Sequence, residues 1–320
     1  MKLKKRNKIF IIGSGVIGAY LSKLLIKKKF EVIVTSRKKR GYESNYRKLG
    51  VKNKVKFIKL DVLNKQNIKS LIFKFNPKAI YYLAGQSSVP ASFKMRLETF
   101  RSNYLGAANF LSILKEENLK TKFIKANSAY IFNGSKKKIT ITSKLAKPES
   151  PYTNSQIKAF KIVKKFRKKH NVKCYSAIFF NIESDLRSKK FITKKVCILA
   201  KNIKQKKIKK MYVGNINTIR DFSWAPEVVK ALYLMMYLKP CDLLIGTGKS
   251  MKIKNVIKYA FEYWKLNYKN YISIDQNLIR KKERNKIVGS MSNTFKKLKK
   301  WNWKPKIYGK KLIYKMARNS

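Results

Sequence analysis

Residues 8–36 read KIFIIGSGVIGAYLSKLLIKKKFEVIVTS, and very few folds accommodate that order. A β-branched apolar run of strand length meets three glycines. A stretch with apolar residues at three- and four-residue spacing follows, and then a second β-rich run. Strand, tight turn, helix and strand within some thirty residues make a parallel βαβ unit, whose crossover is right-handed. Gly13, Gly15 and Gly18 allow the turn to be tight. They leave the backbone amides that open the helix, Val16 and Ile17 among them, facing an anion such as a dinucleotide pyrophosphate. The apolar run from Ile9 to Ile26 also imitates a membrane span. Ser14, Tyr20, Ser22 and Lys23 interrupt it, and EVIVTS follows in place of a cleavage site, so no membrane insertion is expected.

The alternation continues. Strands are expected at 8–13, 31–36, 55–61, 79–84, 122–128 and 173–180, with helices near 16–29, 64–75, 95–117 and 152–169. This order predicts an α/β fold, a doubly wound parallel-sheet Rossmann domain over residues 1–180. A smaller C-terminal α/β substrate-binding lobe is expected over 181–320, with 216–240 returning to the first domain through the helical PEVVKALYLMMYL (226–238). At 44% hydrophobic and 12% aromatic residues, the chain has the composition of a globular protein rather than a disordered one.

Charge is the unusual property: 78 Lys+Arg against 15 Asp+Glu, formally +63. The cations recur from Lys2 to Lys315 instead of forming a stripe, which argues against a dedicated nucleic-acid surface. Cys174, Cys197 and Cys241 show no metal-ligand spacing and His170 is the sole histidine. A reduced, cytoplasmic protein without a metal is therefore expected.

Strand two ends at Ser36-Arg37-Lys38 with no acidic residue to hold a ribose 2′-hydroxyl, whereas Arg37 suits a 2′-phosphate; this favours NADP over NAD. Asp61 and Val62, ending the third strand, are candidates for the adenine end, although Asp61 could equally cap a helix near Asn64.

Seven further segments occur in order: YYLAGQSSVPASF (81–93), PESPY (148–152), IFFNIESDLRSKKFITKKV (178–196), GNINTIRDF (214–222), GTGKSMKIKNVI (246–257), RKKE (280–283) and LKKWNWKP (298–305). With them the chain resembles GDP-mannose 4,6-dehydratases, of the extended short-chain dehydrogenase/reductase superfamily, over essentially its whole length. The resemblance implies a nucleotide-sugar substrate, GDP-mannose or another, and a homo-oligomer built partly through helices near 95–117 and 152–169. It implies a tyrosine that deprotonates the sugar C4 hydroxyl as NADP⁺ takes the C4 hydride. A glutamate then removes the C5 proton, water leaves from C6, and the hydride returns there. By position, Tyr152 matches the tyrosine and Ser128 the hydroxyl that bonds the C4 oxygen. Leu83, Ala84, Gln86, Ser87 and Arg187 match cofactor contacts, and Asn181, Arg220, Arg280 and Glu283 match residues around the GDP moiety. Each of the last group has a plainer reading: Asn181 as a turn, Arg220 paired with Asp221, Arg280 with Glu283 as a surface pair.

Three positions depart from the family pattern. Ala129 or Tyr130 stands where the glutamate is expected, and a phenol, which ordinarily ionises near pH ~10, is a weak base for a carbon acid. Gln156 replaces the lysine one helical turn beyond Tyr152. Lys158 is no substitute, because six residues along a helix rotate it about 240° from Tyr152. Ile182 replaces a histidine. The function expected is thus nucleotide-sugar dehydration with altered acid/base residues. The alternatives are a 4-keto reductase or epimerase, or a homologue that binds both ligands with impaired catalysis.

Overall fold

The computed structural model describes residues 7–39, 41–134, 137–279 and 283–320. The opening unit forms as its glycines and apolar runs require: β1 (Lys8–Ile12), α1 (Val16–Lys27) and β2 (Glu31–Ser36), with β1 and β2 parallel and Lys8 opposite Glu31. There follow β3 (Lys56–Lys59), α2 (Lys65–Phe75), β4 (Ala79–Tyr82), α3 (Val89–Lys94), α4 (Arg96–Phe100), α5 (Gly106–Glu116), β5 (Lys122–Ser128), α6 (Pro151–Lys169) and β6 (Cys174–Phe179). Asn64 caps α2 by accepting from the Asn67 amide at 2.9 Å, which leaves Asp61 out of that role. Ser150 caps α6 by accepting from the Thr153 amide at 3.1 Å, and Pro151 takes the first helical position, where its missing N–H costs nothing. That Ser-Pro start fixes Tyr152 as the second residue of the helix.

After β6 come β7 (Asn181–Glu183), α7 (Ile192–Lys204), β8 (Met211–Val213), β9 (Ile219–Arg220), β10 (Phe222–Trp224), α8 (Ala225–Met235) and β11 (Asp242–Ile245). The chain ends with β12 (Met251–Lys252), α9 (Ile253–Tyr263), β13 (Ile272–Ile274), β14 (Lys286–Ile287), α10 (Ser292–Lys297) and α11 (Gly309–Arg318). The main sheet has the order β11-β6-β5-β4-β1-β2-β3, and β1 to β6 pair in parallel throughout. This is the doubly wound Rossmann topology, whose order reverses between β1 and β4. Ligands of such sheets bind beyond the carboxyl ends of the strands at that reversal.

The chain divides into two units. The first holds residues 1–133, 141–179 and 229–243; the second holds 134–140, 180–228 and 244–320. One core cluster of the first joins Phe10, Ile33, Ile80, Tyr82, Phe110, Phe123 and Val163. The apolar stripes of α7, α9 and α11 make that of the second, around Val196, Ala200, Val256, Phe261, Leu312 and Met316. Burying each large apolar side chain contributes about 1.5–3 kcal/mol.

The helix expected over 95–117 is not one regular helix. A π-helical turn, Arg101–Leu105, joins α4 to α5. Its extra residue turns Asn103 into the interior, where its Nδ2 donates to Ser155 Oγ at 3.0 Å and the Gln86 carbonyl at 3.2 Å. Among the described residues no helix is long and apolar enough to cross a membrane.

Candidate active site

Gly13 leaves β1 at φ +109°, and a Cβ on it would stand 2.7 Å from the Ala84 amide nitrogen after β4. The close approach of those two strand ends therefore requires glycine. Gly18 likewise sets α1 against the turn, where a Cβ would meet the Gly13 carbonyl oxygen at 2.5 Å. Gly15 differs: a Cβ there would meet nothing within 4 Å, no side chain caps α1, and its first turn carries no acidic residue. The opening amides of α1, at Val16 and Ile17, thus suit a diphosphate, with the positive end of the helix dipole behind them. Gly13→Ala is expected to lower the unfolding free energy by about 2–4 kcal/mol in urea titration, since both strain and a backbone clash oppose it.

Around this turn, Leu83 continues the sheet by donating to the Ile12 carbonyl at 2.8 Å. Leu83 and Ala84 are half-buried and Ser87 is exposed. Gln86 folds back on Ser88, accepting from its amide and donating to its carbonyl at 2.7 Å. Asp61 is exposed and accepts from the Leu63 amide at 3.0 Å, while Val62 is buried. Arg37, just beyond β2, is gripped by Glu98 of α4: Nη1 reaches Oε2 at 3.1 Å and Nη2 contacts Oε1. Residues 61 apart in sequence meet here, so nothing in the local pattern announces Glu98.

Beyond β5, Ser128 Oγ accepts from the Tyr130 amide at 3.3 Å, capping the short turn Ala129–Ile131. Its hydroxyl proton is thereby directed elsewhere. Asn127 ties β5 to the second turn of α6, donating to the Gln156 carbonyl at 3.1 Å and to Gln156 Oε1 at 3.4 Å. Phe132 against Phe160 holds the same two segments together, with ring centroids 6.1 Å apart. Tyr152 is buried, and its carbonyl accepts from Ser155 Oγ at 2.8 Å. Through Ser155, Asn103 and the Gln86 backbone, the tyrosine's main chain is linked to the loop after β4. Tyr152 and Ser128 thus belong to one framework, at the carboxyl end of β5. Lys158 lies over the rings of Phe100 and Tyr104 at 5.2 and 6.0 Å.

One lysine did not stand out in the sequence. Lys125 is fully buried on the β5 face shared by Phe123 and Asn127, opposite Tyr82. Its Nζ donates to the Ala126 carbonyl and sits 5.3 Å from the Tyr82 ring centroid. Burial pushes its pKa down to about 7. The signal was the inward register of KFIKANS, hidden by a chain full of lysines.

In the second unit, β9 and β14 pair in parallel and bring Arg220 and Glu283 together, Nη2 to Oε1 at 3.4 Å. Arg220 does not pair with Asp221: that carboxylate accepts from the Thr247 amide, the Thr247 hydroxyl and the Gly248 amide. Asn181 starts β7 and donates its amide to the Asp221 carbonyl at 3.0 Å. Arg187 pairs with buried Glu183 at 3.3 Å and stacks on Phe191, 3.4 Å from the ring centroid. Arg280 lies outside the described residues. Among the described residues no group of three or more His, Cys, Asp or Glu could hold a metal ion.

Known proteins match this chain over nearly its whole length. GDP-mannose 4,6 dehydratase 1 of Arabidopsis thaliana is 28% identical over 328 residues, covering 98% of this chain and 90% of that protein. The dTDP-glucose 4,6-dehydratase of Bacillus anthracis, solved in complex with NAD, superposes with a TM-score of 0.82 at 15% identity, covering 98% of this chain and 96% of that one. The Pseudomonas aeruginosa protein RMD, solved with NADPH, gives 0.80 at 20% identity and 98% coverage of both. The family model described as GDP-mannose 4,6 dehydratase matches residues 11–316, and the chain belongs to that family.

Proposed function

We propose that this chain is a nucleotide-sugar-modifying enzyme that binds a nicotinamide dinucleotide along Gly13–Gly18 and acts at C4 of a nucleotide-linked hexose, GDP-mannose in the first instance. The observation that carries the reading is the framework just described. Buried Tyr152 opens α6, Ser128 ends β5, and Asn127 binds the two segments through Gln156. The glycine turn and the open start of α1 fit the dinucleotide, and Arg37 with Lys38 favours the 2′-phosphorylated form, NADP.

When bound, the dinucleotide supplies a hydride acceptor and a cationic ring. The chain's own residues then have definable tasks. Tyr152 takes the proton of the C4 hydroxyl. Ser128, whose oxygen already accepts from the Tyr130 amide, donates its proton to the C4 oxygen and orients it. Arg220 offers the diphosphate a guanidinium, and Glu283 offers guanine N1–H and N2–H a carboxylate. Dehydration also requires a base for the C5 proton, and neither Ala129 nor Tyr130, the two candidates for that position, is a carboxylate. That substitution favours a second reading, a 4-keto reductase or epimerase, which needs Tyr152 and Ser128 but no such base.

Incubation with GDP-mannose and NADP⁺, followed by mass spectrometry of the nucleotide sugar, separates these readings. Loss of one water is expected, and abolished in Tyr152→Phe. No mass change, with stoichiometric NADPH consumption on a 4-keto nucleotide sugar, would establish the 4-keto reductase instead.

A further inference from the structure

In the first unit, Lys125 is the only charged side chain among the buried described residues. The sheet register sets Tyr82 beside it on β4 and Ser176 on β6, all on the face that packs under α2, α5 and α6. No carboxylate meets it there. The buried positions of α2 and α5 carry no titratable group, and the π-helical turn contributes Asn103. Tyr82 and Cys174 share the face, but burial pushes the ionisation of both upward and leaves them neutral. On α6, Arg167 is paired with Asp242 at 2.6 Å, and the one titratable group of the buried face is Tyr152.

A polar path leads from the ammonium to that tyrosine. Asn127 follows two residues along the same face of β5, and its Nδ2 donates to both oxygens of Gln156. Accepting at Oε1 turns the Gln156 Nε2 away from Asn127. Gln156 in turn stands one helical turn beyond Tyr152. Asn127 Oδ1 and Ser176 Oγ are buried without a partner, and neither brings a charge that would cancel that of Lys125. Strand and helix rises together put the ammonium on the order of 10 Å from Tyr152. An apolar side chain would suit the enclosed position better. A buried charge that the fold does not need points to a task at the neighbouring site.

We infer that Lys125 is a positioning residue for Tyr152: from β5, through Asn127 and Gln156, its ammonium supplies the positive charge that Gln156 does not carry. A cation at that range favours the ionised phenol, and no counter-charge on this face offsets it. The charge is present while Lys125 holds its proton, below about pH 7, and is lost above. Near 10 Å and at an effective dielectric of about 20, the interaction amounts to roughly tenfold in the ionisation of the phenol. The ionised phenol is then a somewhat weaker base, so the rate gains about threefold to tenfold. The proton of the C4 hydroxyl still goes to Tyr152, and Lys125 exchanges none with substrate.

The inference rests on Tyr152 acting at C4, and two arms on the full chain separate its failure from that of the C4 reading. In the first, single-turnover formation of reduced nicotinamide from GDP-mannose and NADP⁺ is followed across pH, with Tyr152→Phe as the zero. Lys125→Met is expected to slow it about threefold to tenfold below pH 7 and to match the parent above about pH 8. Lys125→Gln, equally uncharged, should do the same. NADP⁺ affinity by calorimetric titration should change by less than about threefold in both, which a disturbed fold would not allow. A rate difference independent of pH, or none at any pH, would show that Lys125 does not serve Tyr152. The second arm needs no ligand: in NMR titration, the lysine introduced by Gln156→Lys should hold its proton about tenfold more tightly once Lys125→Met is added. Absence of that coupling overturns the inference alone. A parent enzyme that forms no reduced nicotinamide overturns the C4 reading and this inference with it.

Discussion

Lys125→Met is expected to stabilise the protein by several kcal/mol at neutral and acidic pH, with the gain vanishing as pH rises towards ~10.5. The side chain is wholly enclosed, and no carboxylate contributes to its pKa. Its one hydrogen bond to the Ala126 carbonyl and the Tyr82 ring 5.3 Å away replace only part of the water an ammonium holds. Its pKa therefore falls to about 7 in the fold, against ~10.4 in an unfolded chain. Between those values the unfolded state binds one more proton than the folded state, so stability rises with pH across that window. Below about pH 7 both states are protonated and the full cost is present; above ~10.5 neither is, and it is gone. A displacement of this size corresponds to about 4–5 kcal/mol, a large share of the roughly 5–15 kcal/mol that holds a domain together. Methionine matches the length without the charge. Urea denaturation of both proteins at pH 6, 8 and 10 checks the prediction, and a difference independent of pH would show that Lys125 is not held as a buried titrating amine.

The architecture of the sheet was legible because each of its first six strands is a short apolar run bounded by polar or glycine positions. Their alternation with helices leaves the doubly wound parallel sheet as the economical arrangement. Caps were less so: Asp61 was a candidate cap for the helix near Asn64, yet Asn64 itself caps α2, and the Ser150-Pro151 start of α6 emerges only from the structure. The π-helical turn at Arg101–Leu105 was not legible. Its residues are ordinary helix formers, and what creates it is the burial of Asn103 against Ser155 and Gln86, partners 52 and 17 residues away.

The candidate site divides along the same line. Glycine spacing announces the phosphate turn because backbone geometry there depends on residue type at three nearby positions. Arg37 could be read as a free cation since Lys38, Lys39 and Arg40 follow it; Glu98 arrives from a helix distant in sequence. Arg220 next to Asp221 suggested an internal pair, yet adjacent residues in extended chain point to opposite sides. Asp221 turns to Thr247 and Gly248, while Arg220 turns to Glu283. Lys125 was concealed by composition: among 78 basic residues, a single inward one shows only when the register of β5 is known.

That register determines the expected result of restoring a lysine at position 156. Gln156 lies one helical turn beyond Tyr152, buried, with its amide oxygen against Asn127. A cation there favours the ionised phenol, and general-base catalysis as a whole contributes roughly 10²–10⁴-fold. Asn127 and Lys125 share a face of β5, with Cα atoms about 7 Å apart. Gln156→Lys alone therefore brings a second buried ammonium towards the first, and at a separation near 7 Å the repulsion is of the order of 2 kcal/mol. Gln156→Lys is expected to accelerate Tyr152-dependent sugar oxidation, and Lys125→Met/Gln156→Lys to accelerate it about tenfold further below pH 7, where Lys125 keeps its proton. The difference between the two variants should shrink above pH 8 as that proton is lost. The reading is single-turnover formation of reduced nicotinamide after mixing GDP-mannose with NADP⁺-loaded enzyme, with Tyr152→Phe in each background as the zero. Equal rates for the two variants at every pH would show that charge on β5 does not reach the tyrosine. A rate below the parent's in both would show that the site has been rebuilt around glutamine, with the Asn127–Gln156 tie positioning Tyr152 more effectively than a cation activates it.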